Sequence, residues 1–136
     1  MSISNLPDRG GVVELDPLAR CVSAFQRRDY ASAHDAVVDY IERVPGSAAA
    51  WAVRARILNL LGDAEAAIES FQQACALRPD GFALQYRLGK LALAKGRYSI
   101  AEPHLAAALN LHPTNPGVRG VLGNAELRLG DLEKAA

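Results

Sequence analysis

The segment AIESFQQACALRP, residues 67–79, has a counterpart 34 residues further along the chain, AEPHLAAALNLHP at residues 101–113. In each segment an alanine begins a helical run, a bulky apolar residue follows four positions later, and a proline ends the run. Self-similarity at a fixed period of about 20 to 50 residues is the sequence signature of a repeat protein. The segment therefore predicts that one structural unit is used more than once.

The period of 34 residues continues through most of the chain. Proline closes a unit because it cannot extend a helix, glycine suits a tight turn between helices, and small residues let neighbouring helices approach closely. Each unit is therefore predicted to be a helix, a short turn, a second helix and a proline-marked turn. The positions that keep the period are Pro45, Pro79 and Pro113; Ala33, Ala67, Ala101 and Ala135; Gly62, Gly96 and Gly130, with Arg28 in the first unit; Val37, Phe71 and Leu105; and Cys21, Ala55, Gly89 and Gly123.

This pattern predicts eight helices and no strand, since no run shows the alternation typical of a strand. Asp63 and Asp131 stand where helix-capping acids are expected. Because a single helix pair cannot bury its apolar stripe, the pairs are predicted to stack on one another. The predicted helices are 17–27, 30–43, 47–61, 64–77, 81–95, 98–111, 115–129 and 132 onward.

With these columns the chain resembles the tetratricopeptide repeat family. The second unit is the fullest match, and the first departs from the pattern, because Arg28 replaces the turn glycine and Cys21 replaces the small helix residue. The matching residues are Trp51, Ala55, Leu58, Gly62, Ala67, Phe71, Ala74 and Pro79 in the second unit; Leu88, Gly89, Gly96, Tyr98, Ala101, Leu105, Ala108 and Pro113 in the third; Leu122, Gly123, Gly130 and Ala135 in the fourth; and Tyr30, Ala33, Val37 and Pro45 in the first.

The resemblance implies an all-α fold, a right-handed superhelical solenoid of antiparallel helix pairs with about three and a half repeats. It divides the chain into a flexible tail at 1–13 and a repeat array at 14–136. The array has a degenerate repeat at 14–47, repeats at 48–81 and 82–115, and a truncated repeat at 116–136. The family binds peptides or partner proteins in a concave groove lined by the first helix of each repeat. The leading interpretation is therefore a non-catalytic interaction scaffold.

Groove-facing positions carried over from the family indicate where a ligand would lie. The first unit offers an apolar set, and the later units offer basic and polar side chains. Arginine and lysine can hold carboxylates, and asparagine can hydrogen-bond an extended backbone. Two interpretations stay open: the groove binds an extended or acidic peptide, or these are ordinary solvated side chains. The largely apolar set of the first unit is Leu15, Leu18, Val22 and Phe25, together with Gln26, and the predicted binding residues are Arg56, Asn59, Tyr86, Lys90, Asn124 and Arg128.

One subfamily is not indicated by the resemblance. Members that bind chaperone tails hold a C-terminal carboxylate with lysine, asparagine and arginine at fixed positions. Counted from the first unit, the matching positions here are Leu18, Val22, Val53, Ala83 and Arg87, of which only Arg87 fits. Counted from the second unit, they are Ala52, Arg56, Arg87, Gly117 and Val121, with no clear match. We therefore do not expect this groove to hold chaperone tails.

The charge balance and the cysteines limit the partners and the location. The chain has 15 lysine and arginine residues against 15 aspartate and glutamate residues, so no nucleic-acid partner is expected. The N-terminal residues do not form a signal-peptide pattern, and no apolar run of about 18 residues predicts a membrane span. Cys21 and Cys75 are far apart in the sequence, which is typical of free thiols in the reducing cytoplasm.

No catalytic, metal or cofactor site is predicted. His34, His104 and His112 lack the three or four convergent ligands that a metal needs. Cys75 has no histidine in a recognisable motif around it, and no glycine-rich phosphate loop is present. We therefore expect no enzyme activity from these residues.

The fourth unit is incomplete, because its last predicted helix has room for about five residues and so short a helix is marginal in water. Such an uncapped end leaves apolar surface uncovered. Two compatible explanations are expected: the chain is an N-terminal fragment of a longer protein, or another molecule covers this end, most simply a second copy in a homodimer. Two alternatives to the leading interpretation stay open. One is an N-terminal substrate-recruiting arm of a larger enzyme of the glycosyl- or sulfotransferase type, and the other is a structural self-assembly module.

Overall fold

The computed structural model describes residues 16–135, and this range folds into seven helices without a strand. The predicted tail at 1–13, and Leu15 of the predicted apolar set, lie outside the described residues. The structure confirms the all-α helical repeat fold. The helices are α1 (Pro17–Gln26), α2 (Tyr30–Arg43), α3 (Ala48–Leu60), α4 (Ala64–Leu77), α5 (Phe82–Ala94), α6 (Tyr98–Leu111) and α7 (Pro116–Ala135).

Short acidic and hydroxyl side chains begin four of these helices. Asp16, Asp29, Ser47 and Asp63 each accept a hydrogen bond from the backbone N–H three residues later. The bond from the Ala66 N–H to Asp63 Oδ1 is 3.1 Å long, so the predicted cap at Asp63 is confirmed. Each such cap contributes about 1 kcal/mol because it pairs a backbone donor that the helix leaves unpaired.

The turn inside each of the first three repeats has the same left-handed backbone. Arg28, Gly62 and Gly96 have φ angles of 61°, 91° and 76°, and they follow α1, α3 and α5 respectively. In all three turns the next residue donates its backbone N–H to a carbonyl five residues earlier. In these three repeats the column therefore marks a real turn, and Arg28 adopts the same conformation without being glycine.

The residues of the repeat columns form the core. Ala33, Ala67 and Ala101 are fully buried at the contact between the two helices of their repeats. Val37, Phe71 and Leu105 are buried as well. The apolar core is divided into three clusters, each made by three consecutive helices, so every repeat is stabilised by its neighbour.

The predicted eighth helix is wrong. Helix α7 runs without interruption from Pro116 to Ala135, so it passes through Gly130 and Asp131, where a turn and a helix start were predicted. Gly130 does not have the positive φ of Gly62 and Gly96. The few residues after Gly130 could bury little apolar surface as a separate helix. As a continuation of α7 these residues keep their helical backbone hydrogen bonds without the free-energy cost of starting a new helix.

Candidate functional site

Depressions in the surface lie between the first helices of neighbouring repeats. One of about 300 Å³ lies between α1 and α3, two of about 420 and 400 Å³ lie between α3 and α5, and one of about 420 Å³ lies between α5 and α7. They follow one another across the surface formed by α1, α3, α5 and α7, which we call the groove. The volumes are in the range of pockets that hold a few side chains of a ligand.

Arginine and lysine side chains join these depressions. Arg56 lines both depressions between α3 and α5, and it also lines the one between α1 and α3. Lys90 lines one depression on each side of α5. Arg87 lines both depressions between α3 and α5, and Arg128 lines the one between α5 and α7. A ligand lying along the groove would therefore meet a cation at each step from α3 to α7.

Five of the six predicted binding residues line these depressions. Arg56, Asn59 and Lys90 share one depression. Lys90 also lines the depression between α5 and α7, together with the two remaining residues, Asn124 and Arg128. Whether they bind a ligand remains a prediction.

The sixth predicted residue, Tyr86, lies beneath Lys90 and lines none of these depressions. The Lys90 Nζ lies 4.9 Å from the centroid of the Tyr86 ring, which is the distance of a cation–π contact. The ring of Tyr86 also packs against Phe82, with 5.6 Å between the two centroids. Tyr86 therefore positions the lysine above it.

Arg87 was missed as a groove residue, although the sequence carries a signal for it. It stands three residues before Lys90 and four after Ala83, so helical spacing places all three on one face of α5. Ala83 also lines the groove beside Arg87. The prediction placed Arg87 only in a carboxylate-binding position of a different subfamily and did not carry it over to the groove.

The α1–α3 end of the groove is apolar. Its depression is lined by Cys21, Val22, Phe25 and Val53, with Gln26 and Arg56 at the polar side. The Val22 side chain is 50% exposed and that of Leu18 is 44% exposed. The Arg56 guanidinium carbon lies 5.7 Å from the centroid of the Phe25 ring, so the cation borders the apolar surface.

Charge is divided between the two layers of helices. Helices α1, α3 and α5 carry arginine and lysine but no aspartate or glutamate. Helices α2, α4 and α6 carry acidic residues, with Arg43 as their cation. We call α1, α3 and α5 the inner layer and α2, α4 and α6 the outer layer. The inner layer is basic and the outer layer is acidic although the formal net charge of the chain is zero, and this separation of charge creates an electric field across the chain. The acidic residues of the outer layer are Asp35, Asp39, Glu42, Glu65, Glu69 and Glu102.

His34 and His104 are partly buried, and Cys21 and Cys75 are buried. Burial lowers the pKa of His104, whose Nδ1 lies 2.7 Å from Gln85 Oε1. Burial, and then the positive charge of Arg54, lower the pKa of His34. Burial raises the pKa of Cys21, and that of Cys75 to about 11, so both thiols are protonated at neutral pH.

Two further features concern residues 16–135 alone. No three histidine, cysteine or acidic side chains in this range come together in a way that could hold a metal ion. None of the seven helices combines the length and the apolar character that a membrane crossing requires.

A family profile places the chain in a known family. The sequence profile of the tetratricopeptide repeat matches residues 18–82 and 86–136. No curated protein matches the chain.

Solved structures share the fold at low sequence identity. The TPR2B domain of yeast Sti1 in a complex with pHsp70 is 20% identical, with a TM-score of 0.68 over 82% of this chain and 94% of that one. The type III secretion chaperone SycD of Yersinia enterocolitica, in complex with a peptide of the translocator YopD, is 17% identical, with a TM-score of 0.70 over 87% and 98%. MamA of Desulfovibrio magneticus RS-1 is 24% identical, with a TM-score of 0.75 over 87% and 67%. Since the family profile also covers most of the sequence, the chain belongs to the tetratricopeptide repeat family.

Proposed function

We propose that this chain is a non-catalytic scaffold that binds a peptide or a partner protein in the groove. The observation that carries the proposal is the continuous row of depressions between α1 and α7, joined by Arg56 and Lys90. These side chains are exposed, and their cationic groups have no carboxylate partner within 4 Å among residues 16–135. They are available to a ligand without first breaking an ion pair within the described part of the chain.

Two of the structural relatives support a polypeptide ligand. The Sti1 domain is bound to pHsp70, and SycD is bound to a peptide of YopD. A fold can host many functions, so it is the groove of this chain itself that supports a polypeptide ligand. That groove presents cations, amides and apolar surface, which suit side chains and backbone of an extended peptide.

A selection from a random peptide library tests the proposal. The wild-type chain is the target, and Ala83→Trp is the blocked control. Ala83 is exposed and lines the depression beside Arg56 and Arg87, so a tryptophan there fills the groove without entering the core. We expect selected peptides to bind the wild type and to lose most of their affinity for the blocked variant. Peptides that bind both proteins equally would show that the groove is not the binding surface.

A second candidate function is self-association through α7. A Cβ atom built on Gly123 would meet no atom within 4 Å, whereas its column partners Cys21 and Ala55 are buried. Leu127 is 64% exposed and Leu132 is 55% exposed on the same helix. Helix α7 also carries acidic and basic residues in equal number, which suits antiparallel pairing of two copies.

Light scattering during size-exclusion chromatography tests the second candidate. We expect a mass near twice 14.5 kDa at high protein concentration. Leu127→Lys should return the chain to the monomer, and Leu77→Lys, which alters an exposed leucine at the end of α4, should not. A monomer mass for the wild type at high concentration would rule the homodimer out.

We also propose a cytoplasmic location. Cys21 and Cys75 are both buried and unpaired. Free thiols persist in reducing compartments, so their state supports this location.

A further inference from the structure

The groove changes character along its length, from apolar at α1 to basic at α7. The α1–α3 depression, of about 300 Å³, is lined by Val22, Phe25 and Val53, and Arg56 stands at its border. Beyond Arg56 the depressions present Arg87, Lys90 and Arg128. The groove therefore has a direction, and a ligand that matches it must have one too.

The apolar end needs a cover that the described chain does not supply. Val22 is half exposed and Leu18 nearly so, on the face of α1 next to this depression. An isolated exposed leucine or valine is ordinary on a protein surface. Two on one helix face beside a cavity of about 300 Å³ suit a bulky aliphatic or aromatic side chain of a ligand.

The cationic side chains at the basic end of the groove are positioned to bind carboxylates. Lys90 lies over the Tyr86 ring, and Arg56 lies over the Phe25 ring. Such contacts restrict a long side chain without neutralising its charge. None of Arg56, Arg87, Lys90 and Arg128 forms an ion pair within residues 16–135. In the same range Arg20 and Arg97 are paired, with Asp39 and Glu65.

The cations come from three different helices, α3, α5 and α7. A single carboxylate, such as the C-terminus of a peptide, could reach one or two of them. Engaging all of them requires several carboxylates spread along an extended chain. Neighbouring carboxylates would also gain from the basic inner layer as a whole, because the first helices of the first three repeats carry no acidic residue.

We propose that the ligand is an internal peptide segment in which a bulky apolar residue is followed, in one chain direction, by several acidic residues. The apolar side chain lies between α1 and α3, and the carboxylates pair with Arg56, Arg87, Lys90 and Arg128. This inference rests on the proposed function, since it assumes that the groove is the binding surface. It names the chemistry of the segment that the groove prefers.

Four labelled probe peptides with both ends blocked test the inference by fluorescence anisotropy. The first has one leucine followed by spaced glutamates, and the second has the reverse order. The third replaces every glutamate with glutamine, and the fourth replaces leucine with serine. We expect one of the two orders to bind more tightly than the other. In that order, replacing the glutamates with glutamine or the leucine with serine should weaken binding about tenfold or more. Rising salt should weaken the acidic peptides and leave the glutamine peptide unchanged.

Protein variants assign each half of the peptide to its half of the groove. Lys90→Gln should weaken the leucine–glutamate peptide several-fold and leave the glutamine peptide unchanged, while Lys95→Gln, just beyond the end of α5, should change neither. Val22→Ser should weaken the leucine peptide and leave the serine peptide unchanged. Val44→Ser, at an exposed valine just beyond the end of α2, is its control.

The outcomes separate this inference from the proposed function. If library peptides bind the groove but glutamate gives no advantage over glutamine, the groove function stands and this inference is wrong. Equal binding of the two orders, or no effect of Val22→Ser, would overturn the directional part. If nothing binds the groove at all, both proposals fail together.

Discussion

Gly89 on α5 lies directly against Leu105 on α6. A Cβ atom built on Gly89 would be 2.4 Å from Leu105 Cγ, a distance at which the two groups could not coexist. Leu105 is fully buried and cannot move aside. The absence of a side chain at Gly89 is therefore what lets the two helices of the third repeat approach so closely.

Gly89→Ala should destabilise the chain by about 1–3 kcal/mol through overpacking, even though alanine is the better helix former by about 1 kcal/mol. Gly123→Ala is the matched control, because Gly123 holds the same place in the fourth repeat with open space around it. We expect that variant to be neutral or more stable. Urea denaturation measures both, and a similar loss for the two variants would contradict the packing argument.

The turn residue of the first repeat offers a stabilising substitution. Arg28 has a φ angle of 61°, a left-handed conformation that costs a non-glycine residue about 1–2 kcal/mol. Arg28→Gly should therefore raise the free energy of unfolding by a sizeable part of that amount, less the entropy that glycine loses on folding. Gly62→Ala, at the equivalent turn, should lower it. Thermal denaturation of the two variants should shift the midpoint in opposite directions, and shifts of the same sign would refute the account.

The side-chain amide of Gln85, on α5, bonds both the loop between α4 and α5 and helix α6. Its Nε2 donates to the Pro79 carbonyl at 3.0 Å, and its Oε1 pairs with His104 Nδ1 on α6. Gln85→Leu should cost about 1–3 kcal/mol, because it leaves buried polar groups without a partner. Trp51→Phe removes the equivalent bond to Pro45, made by an exposed indole N–H, and should cost less. Chemical denaturation measures the loss of unfolding free energy in both variants. A larger loss for Trp51→Phe than for Gln85→Leu would show that the buried hydrogen bonds of Gln85 contribute less than the exposed bond of Trp51.

Acid should weaken the fold through His104 and His34. Burial lowers the pKa of both in the folded chain, so the unfolded chain takes up protons at higher pH than the folded chain does. The free energy of unfolding should therefore fall as the pH decreases through the usual histidine range near about 6.5, and this loss should level off below the folded-state pKa values.

His104→Asn isolates the contribution of that side chain. Asparagine keeps a donor for Gln85 Oε1 but does not titrate. We expect a shallower dependence of stability on pH between about 7.5 and 5.5 than in the wild type. The free energy of unfolding is measured by urea denaturation at several pH values. If the free energy of unfolding depends on pH equally in the wild type and in His104→Asn, then His104 does not contribute to the acid sensitivity.

The repeat period predicted most of the fold because it records local contacts that recur in every repeat. Helices α2, α4 and α6 begin and end at the predicted residues, since each begins beside a left-handed turn and ends just before a residue that precedes proline. The first helices of the first three repeats were predicted one or two residues too long, because their ends rest on caps that the pattern does not mark.

The end of the chain could not be predicted from the period. Gly130 occupies the turn column, yet α7 continues through it. A glycine permits a left-handed turn but does not impose one. At Gly62 and Gly96 the following helix packs back on the first and stabilises the turn, whereas the residues after Gly130 are too few to do so.

The groove was predicted only in part. Helical spacing identified the residues that share a face, including the pair Arg56 and Asn59. The sequence alone did not show that Tyr86 supports Lys90, or that Arg87 borders the same depressions. The separation of charge between layers is also hidden in a net charge of zero, and it emerges only when each residue is assigned to its helix.

Amide NMR of the chain with a peptide from the library selection tests the central claim most directly. If the groove is the binding surface, the largest shift changes should fall on α3, α5 and α7, near Arg56, Lys90 and Asn124. The outer helices α2, α4 and α6 should change little. Shift changes concentrated on those outer helices would contradict the account, because they would place the ligand on the acidic layer.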